Sequence, residues 1–251
     1  MFTLKFGFEK RYLPGLTTSA ALVACALLVA APVKPCLAGP SNQTTFSSPD
    51  GASRALVSAV QNHDEREVTR ILGGGSDLTS THDEAEDTLE RERFVQKYQE
   101  MHRWARESGG IATLYIGAEN WPFPIPLESR NGVWRFDPKA GSDEILFRRI
   151  GENEVTAIGI CHTLATAKAP PDASGPIPFQ GYYLHILPAS DGGFAAIAYP
   201  AVYRSSGVMT FIVTQDGDVS EKDLGPDTAK ISGTMTDYRP DATWTHVEAK
   251  P

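Results

Sequence analysis

Cys161 and His162 are the first candidates for chemistry, because a cysteine beside a histidine base is a common nucleophilic arrangement. The surrounding sequence predicts a helix over 153–168, with Cys161 on its apolar side. Neighbours on a helix point about 100° apart, so these two side chains cannot hydrogen-bond each other as a catalytic pair. We therefore interpret Cys161 as a buried structural thiol.

A group of acidic residues near the end of a predicted strand is the second candidate, as a calcium site. The group consists of Asp216, Asp218, Glu221 and Asp223. Their order does not match the ligand spacing of an EF-hand loop. Turn geometry and charges at a strand edge explain them, and Asp216 and Asp218 are the best candidates if an ion binds.

Other catalytic and cofactor motifs are missing from the sequence. It contains no Gly-x-Ser-x-Gly, no Walker loop and no dinucleotide fingerprint. The histidines lack metal-ligand spacing; they include His63, His82, His102, His185 and His246. Arg148 and Arg149 offer an anion contact, although paired basic residues on a helix are more typical of a solvated surface. We predict no cofactor and no catalytic residue, and we favour a protein that is not an enzyme.

Residues 1–38 have the pattern of a secretory leader. A basic start precedes an apolar core over 20–31, which is shorter than the roughly 20 residues that a membrane span needs. Small residues at 36–38 favour cleavage after Ala38. A lipoprotein box over 22–25 offers lipid attachment at Cys25 as an alternative, and an uncleaved anchor is the third. We predict export to the periplasm or beyond, with no membrane insertion after cleavage.

The charge of the chain excludes one class of partner. Residues 1–38 carry four basic residues and one acidic residue, so the remaining chain has a net charge of −11 against −8 for the whole. An acidic surface repels nucleic acid, so we predict no nucleic-acid partner. Another envelope protein is the partner we expect, and the sequence does not determine the oligomeric state.

Apolar periodicity predicts an N-terminal α+β domain over 48–137, after a polar linker over 39–47. Ser48, Pro49 and Asp50 are typical of a helix start. Further helices are predicted over 65–72 and 84–107. The buried side of the third is predicted to contain Leu89, Phe94, Tyr98, Met101 and Ala105. We interpret the acidic residues at its beginning as a solvated helix start with spaced ion pairs.

Strands are predicted over 111–117, 125–128 and 133–136, with a hairpin turn at 130–132. Prolines alternate over 121–126, at Pro122, Pro124 and Pro126. Because backbone N–H groups alternate sides along a strand, these prolines remove donors from one side and favour a protected edge strand. Helices on a curved sheet can also enclose a small-ligand cavity.

The C-terminal region, 138–251, predicts helices separated by a break at Gly151, followed by an antiparallel meander. Its strongest signal is the hairpin over 207–226, in which Asp216-Gly217 is typical of a type I′ turn. The predicted fold class is therefore α+β, with two units that each place helices on an antiparallel sheet.

Several segments of this sequence together resemble a secreted bacterial protein family, domain of unknown function 2950. They are 121–126, 132–137, 144–154, 181–183, 207–211, 215–217, 221–228 and 240–244. The resemblance covers nearly the whole chain after the leader, and it implies no catalytic residue. The region from Asn153 onward is also similar in order and spacing to the headgroup of type IV pilins and pseudopilins.

These observations give three functional hypotheses. The first is an exported interaction or assembly module of the cell envelope. The second is an envelope hydrolase whose site forms only in three dimensions. The third is a protein that binds a small ligand in the N-terminal sheet cavity.

Overall fold

A computed structural model describes residues 42–74, 78, 83–167, 175–188, 193–236 and 241–247, with only the backbone of 167 and 188. The predicted leader, with Cys25 and the cleavage point after Ala38, lies outside these residues. The chain divides into two units, one ending at Ser142 and the other beginning at Asp143. Each unit contains an antiparallel sheet and helices, which confirms the predicted α+β class.

Three helices begin the first unit: α1 (Pro49–Gln61), α2 (Glu65–Leu72) and α3 (Glu84–Glu100). The predicted start of α1 is confirmed, because the Ser48 side chain accepts a hydrogen bond from the Gly51 N–H and Pro49 occupies the first turn. The predicted end of α2 is also confirmed, since Gly73 caps it in the left-handed region with φ 75°.

The third helix is shorter than predicted. It ends at Glu100, and 102–106 forms a strand that pairs along its whole length with the next strand. Pairing in the sheet therefore outweighs the local helical pattern. Leu89 is 46% exposed, so its predicted burial is wrong. The buried face instead includes Asp87 and Glu90, and only part of the acidic helix start is solvated.

The first sheet has the order β1-β2-β4-β5, with β3 paired to β2. Its strands are β1 (His102–Arg106), β2 (Ile111–Ile116), β3 (Trp121–Pro122), β4 (Leu127–Arg130) and β5 (Val133–Phe136). The turn between β4 and β5 has Asn131 at φ 54° and Gly132 at φ 79°, the signs that a type I′ turn requires. Aromatic rings pack between this sheet and the helices, with Phe123 5.5 Å from Phe94 and 6.1 Å from Phe136. The small-ligand hypothesis for this unit stays a prediction.

The proline segment has two different backbone partners. The Phe123 N–H donates to Leu114 O, and β3 pairs with β2 alone among the described strands, whereas Pro126 O accepts from the Asp137 N–H at the end of β5. Gly141, at the start of the next helix, lies against Ile125, and a Cβ there would be 2.7 Å from Ile125 Cγ1. This helix therefore packs closely against the proline segment.

The segment just before α1 is bound to β5, the last strand in the order of this sheet. The Gln43 side-chain amide donates to Ile71 O and Phe136 O, at 3.2 and 2.8 Å. Phe46 and Trp134 exchange two backbone hydrogen bonds of 2.8 Å. Residues 43–46, here called the N-terminal strap, thus cover β5 and join it to α2.

One helix, α4 (Pro138–Ala167), replaces the two helices predicted on either side of Gly151. It has 30 residues, about 45 Å at 1.5 Å per residue. A Cβ at Gly151 or Gly159 would meet no atom within 4 Å, so both glycines lie on the open side. A glycine costs a helix only about 1 kcal/mol, and the buried face of α4 offsets this.

The second sheet is a six-stranded meander in which each strand pairs with its sequence neighbour. Its strands are β6 (Ile177–Phe179), β7 (Tyr182–Pro188), β8 (Phe194–Pro200), β9 (Thr210–Thr214), β10 (Val219–Lys222) and β11 (Thr245–His246). One face packs on α4 through Ala157, Cys161 and Leu164. The other face lies near Met235 and Trp244, and α5 (Thr228–Gly233) contacts β8. All of β8 is buried, as expected for a strand covered on both faces.

The hairpin between β9 and β10 differs from the predicted type I′ turn. Val213 pairs with Val219, and the Thr214 N–H donates to Asp218 O at 3.2 Å, which leaves a three-residue loop, 215–217. The Gly217 N–H donates to Thr214 O, and Gly217 alone in this loop has a positive φ, 94°. This is the geometry of a turn followed by a G1 bulge, which also requires glycine.

Candidate functional site

Three polar residues on α4 make long-range side-chain hydrogen bonds to the backbone of the second unit. Arg149, Asn153 and Glu154, here called the loop anchor, lie within two turns of the helix. Arg149 Nη2 donates to Ser205 O at 2.9 Å, and Asn153 Nδ2 donates to Ser206 O at 2.8 Å. Glu154 Oε1 accepts from the N–H groups of Val208 and Met209, at 2.9 and 3.0 Å. All four bonds reach backbone atoms, so they fix the path of the chain between β8 and β9.

The anchored segment, loop 201–207, is also bonded to itself. The Arg204 N–H donates to Gly207 O at 2.8 Å, and the Ser206 N–H donates to Val202 O at 2.8 Å. The Ser206 hydroxyl accepts from the Val202 N–H at 3.0 Å. Arg204 has φ 57°, in the left-handed region that non-glycine residues rarely adopt. A strained residue of this kind persists only where surrounding contacts determine the conformation.

Tyr182 on β7 contacts the end of the loop through its ring and bonds the following residue through its hydroxyl. Its hydroxyl donates to Met209 O at 2.9 Å, and its side chain is only 1% exposed. Gly207 packs directly on the ring, and Gly181 packs on Asn153 and Ser206. Burial, followed by the charge of Glu154, raises the pKa of Tyr182 above its ordinary value, so the hydroxyl remains a proton donor.

Two side chains of the loop, those of Val202 and Arg204, are exposed while the backbone is held. Val202 is 59% exposed, and Arg204 is also exposed. The Arg204 guanidinium lies 5.4 Å from the centre of the Tyr203 ring, within the range of a cation–π contact. The Tyr203 hydroxyl donates to Asp223 Oδ2 at 3.1 Å. The loop thus displays an aliphatic, an aromatic and a cationic group on a fixed backbone.

Glu221 on β10 is a titratable group whose pKa is affected by Glu154 of the loop anchor. It pairs with Phe211, so its side chain projects toward the same face of the sheet as Phe211. Burial raises the pKa of Glu221 from its ordinary 4.5, and the charge of Glu154 raises it further. The folded chain therefore keeps a proton on Glu221 at a pH where the unfolded chain has lost it. Consequently the free energy of unfolding falls as pH rises from about 4.5 through the folded-state pKa.

Replacing Glu221 with glutamine should raise the free energy of unfolding at pH 7, by less than about 1 kcal/mol because the side chain is partly exposed. It should also reduce the loss of stability between pH 4 and pH 7, since the titrating group is gone. Urea denaturation at several pH values measures both effects. Asp218→Asn, at an exposed carboxylate on the same hairpin, is the control. Equal pH profiles for the two variants would contradict the assignment to Glu221.

The residues singled out in the sequence do not converge on one site. Cys161 is fully buried, and burial raises its pKa to about 12, so the thiol is protonated at neutral pH. Asp216 and Asp218 are exposed at the hairpin between β9 and β10. Within the described part of the chain, no group of three His, Cys, Asp or Glu residues is placed to hold a metal ion. The metal site at Asp216 and Asp218 stays a prediction.

Arg149 has a role that sequence reasoning missed, because we considered it only as an anion contact or a solvated residue. Asn153, Glu154 and Tyr182 were likewise not identified as one set. The sequence offered one signal: these residues, together with Gly181 and Gly207, lie in the segments that carry the family resemblance. Their partners lie up to 56 residues away and are backbone atoms, which no side-chain pattern indicates.

A comparison with known protein families supports the resemblance that these segments carry. Residues 43–174 and 180–247 match the model of DUF2950, a protein of unknown function. The chain belongs to the DUF2950 family. No curated protein and no solved structure matches it. The predicted family is thus confirmed, whereas the likeness of the second unit to a pilin headgroup stays a prediction.

The match to DUF2950 covers both units, including the loop anchor and loop 201–207. Across the described part of this DUF2950 protein, none of the helices is long and apolar enough to cross a membrane. The loop anchor binds backbone atoms, and the exposed groups of the site belong to loop 201–207.

Proposed function

We propose that this DUF2950 protein is an exported interaction module of the cell envelope and that it contacts a protein partner through loop 201–207. The leader pattern over 1–38 supports export, either as a soluble protein cleaved after Ala38 or as a lipoprotein attached at Cys25. The acidic net charge disfavours nucleic acid.

The observation that carries this proposal is the fixed backbone of the loop. Binding normally costs the ordering of flexible segments, and a loop that is already ordered avoids that cost. Here the loop anchor, Tyr182 and the internal hydrogen bonds hold the chain, including Arg204 at φ 57°. None of these contacts uses the exposed Val202 side chain, which is left for a partner.

The exposed groups also have the composition of a protein-binding surface. Tyrosine and arginine are among the residues most enriched at energetically important interface positions. Tyr203 and Arg204 supply both, and Val202 adds an exposed apolar side chain. A protein partner with an apolar pocket beside a carboxylate fits this arrangement.

Site-specific photocrosslinking in exporting cells tests the proposal. A photoreactive amino acid at position 202 should form one dominant protein adduct, and the same group at exposed Val155 on α4 should not. The adduct should disappear when Arg204 is replaced with glutamate. Identical adducts at both positions, or an adduct that persists with Arg204→Glu, would contradict the loop as the contact surface.

Mass spectrometry of the protein purified from those cells tests export separately. A new N-terminus at Gly39 indicates cleavage after Ala38, and a lipid on Cys25 indicates the alternative. An intact chain that still begins at Met1 and fractionates with cytosolic proteins would refute export.

A further inference from the structure

Among the described residues of the first unit, the outer edge of β1 has no partner strand. The hydrogen bonds from Gly117 N to Met101 O and from Glu107 N to Ile111 O show which residues face β2. By the alternation of an antiparallel ladder, Arg103 and Ala105 also face β2, whereas the backbone groups of 102, 104 and 106 point outward. Among the described residues β1 pairs only with β2, so this edge presents three unpaired N–H and three unpaired C=O groups.

The strands of this sheet differ in how their outer edges are protected against pairing with another strand. β5 is covered by the N-terminal strap, which uses the outward groups of Trp134. The proline segment lacks donors at Pro122 and Pro124. By contrast β1 contains no proline and five consecutive paired residues, so its backbone can accept another strand.

The side chains along β1 are basic and exposed in an otherwise acidic chain. His102, Arg103 and Arg106, here called the basic edge, are exposed, while Trp104 and Ala105 between them are half-buried. The chain has a net charge of −8, so two exposed arginines on one short strand contrast with the rest. Arg103 lies over Tyr115 at 4.2 Å and donates to Asn120 Oδ1 at 2.6 Å, which fixes its position.

We propose that the basic edge binds an extended acidic segment of another protein, which adds to the sheet as a strand beside β1. Backbone pairing with 102, 104 and 106 would supply affinity, and carboxylates facing Arg103 and Arg106 would supply selectivity. A second copy of this chain fits poorly, because antiparallel self-pairing about Trp104 places Arg103 opposite Ala105 and Arg106 opposite His102, so neither arginine meets a carboxylate. This surface lies on the first unit and is independent of loop 201–207.

A fluorescent peptide of sequence Val-Glu-Glu-Val-Glu-Glu-Val tests the proposal with the purified full-length protein, because its acids lie on both faces of a strand. We expect saturable binding by fluorescence anisotropy. Replacing each glutamate of the peptide with lysine should weaken binding at least about tenfold, as should Arg106→Glu in the protein. Arg66→Glu, at an exposed arginine on α2, makes the same change in net charge and should leave binding unchanged.

Two further measurements separate strand addition from charge attraction alone. A peptide with N-methyl groups at every residue keeps its charges but has no N–H donor on either side, so it should not bind. Amide exchange followed by NMR should slow at His102, Trp104 and Arg106 when the acidic peptide is added, with no change at Arg103 and Ala105. No binding of the acidic peptide, equal binding of the methylated peptide, or binding without slower exchange at those three amides would each overturn the proposal.

Discussion

Replacing Gly207 with alanine should lower the free energy of unfolding of the second unit by about 3 kcal/mol, because it overpacks a buried contact. A Cβ at this position would lie 2.5 Å from Cζ of Tyr182 and closer still to its hydroxyl oxygen. The ring cannot move away freely, since Tyr182 is 1% exposed and its hydroxyl bonds Met209 O. Urea denaturation followed by circular dichroism measures the change.

Gly159→Ala is the matched control for this substitution. A Cβ there meets no atom within 4 Å, and the residue lies inside α4. Alanine is the better helix former, so this variant should be more stable by about 0.5 to 1 kcal/mol. If the two variants lose similar stability, contact with Tyr182 is not the cause.

Replacing Glu154 with alanine should lower the free energy of unfolding by about 2 to 3 kcal/mol. One carboxylate oxygen accepts from both Val208 and Met209, and a charged acceptor makes stronger hydrogen bonds than a neutral one. Alanine leaves two partly buried N–H groups without their acceptor. Amide exchange at Val208 and Met209 should therefore become much faster, in addition to the change in urea denaturation.

Glu154→Gln separates the hydrogen bonds from the charge. Glutamine keeps an acceptor oxygen on a side chain of similar length, so this variant should lose only about 1 kcal/mol and keep slow exchange at both amides. Because Glu154 raises the pKa of Glu221, removing its charge should also weaken the dependence of stability on pH. An alanine variant with unchanged exchange at both amides would show that Glu154 does not hold the loop.

Local patterns predicted those parts of the fold that local contacts determine. Ser48 and Gly73 cap their helices as expected, because capping involves atoms within about four residues. The strand within 102–106 was missed, since its stability comes from β2 and its own sequence continues a helical spacing. The continuity of α4 through Gly151 was also missed, because it depends on packing of the helix against the second sheet and not on the local sequence.

The candidate site was less predictable than the fold. Loop 201–207 has no motif of its own, and its shape depends on Arg149 and Glu154, which lie more than 50 residues earlier in the chain. One-sided pairing at the prolines over 121–126 was predicted from their missing backbone donors alone, and β3 pairs with β2 only among the described strands. The open edge at β1 could not be foreseen while 102–106 was assigned to a helix.

The N-terminal strap has a consequence for how the first unit folds during synthesis. Gln43 bonds Phe136, 93 residues later in the chain, so the earliest described residues cannot dock until β5 has been made. Contacts of such long sequence separation form slowly, because a large loop must close first. The strap therefore docks on β5 among the last steps, and until then the outer edge of β5 lacks this partner. This delay leaves residues 43–46 accessible while the rest of the unit assembles.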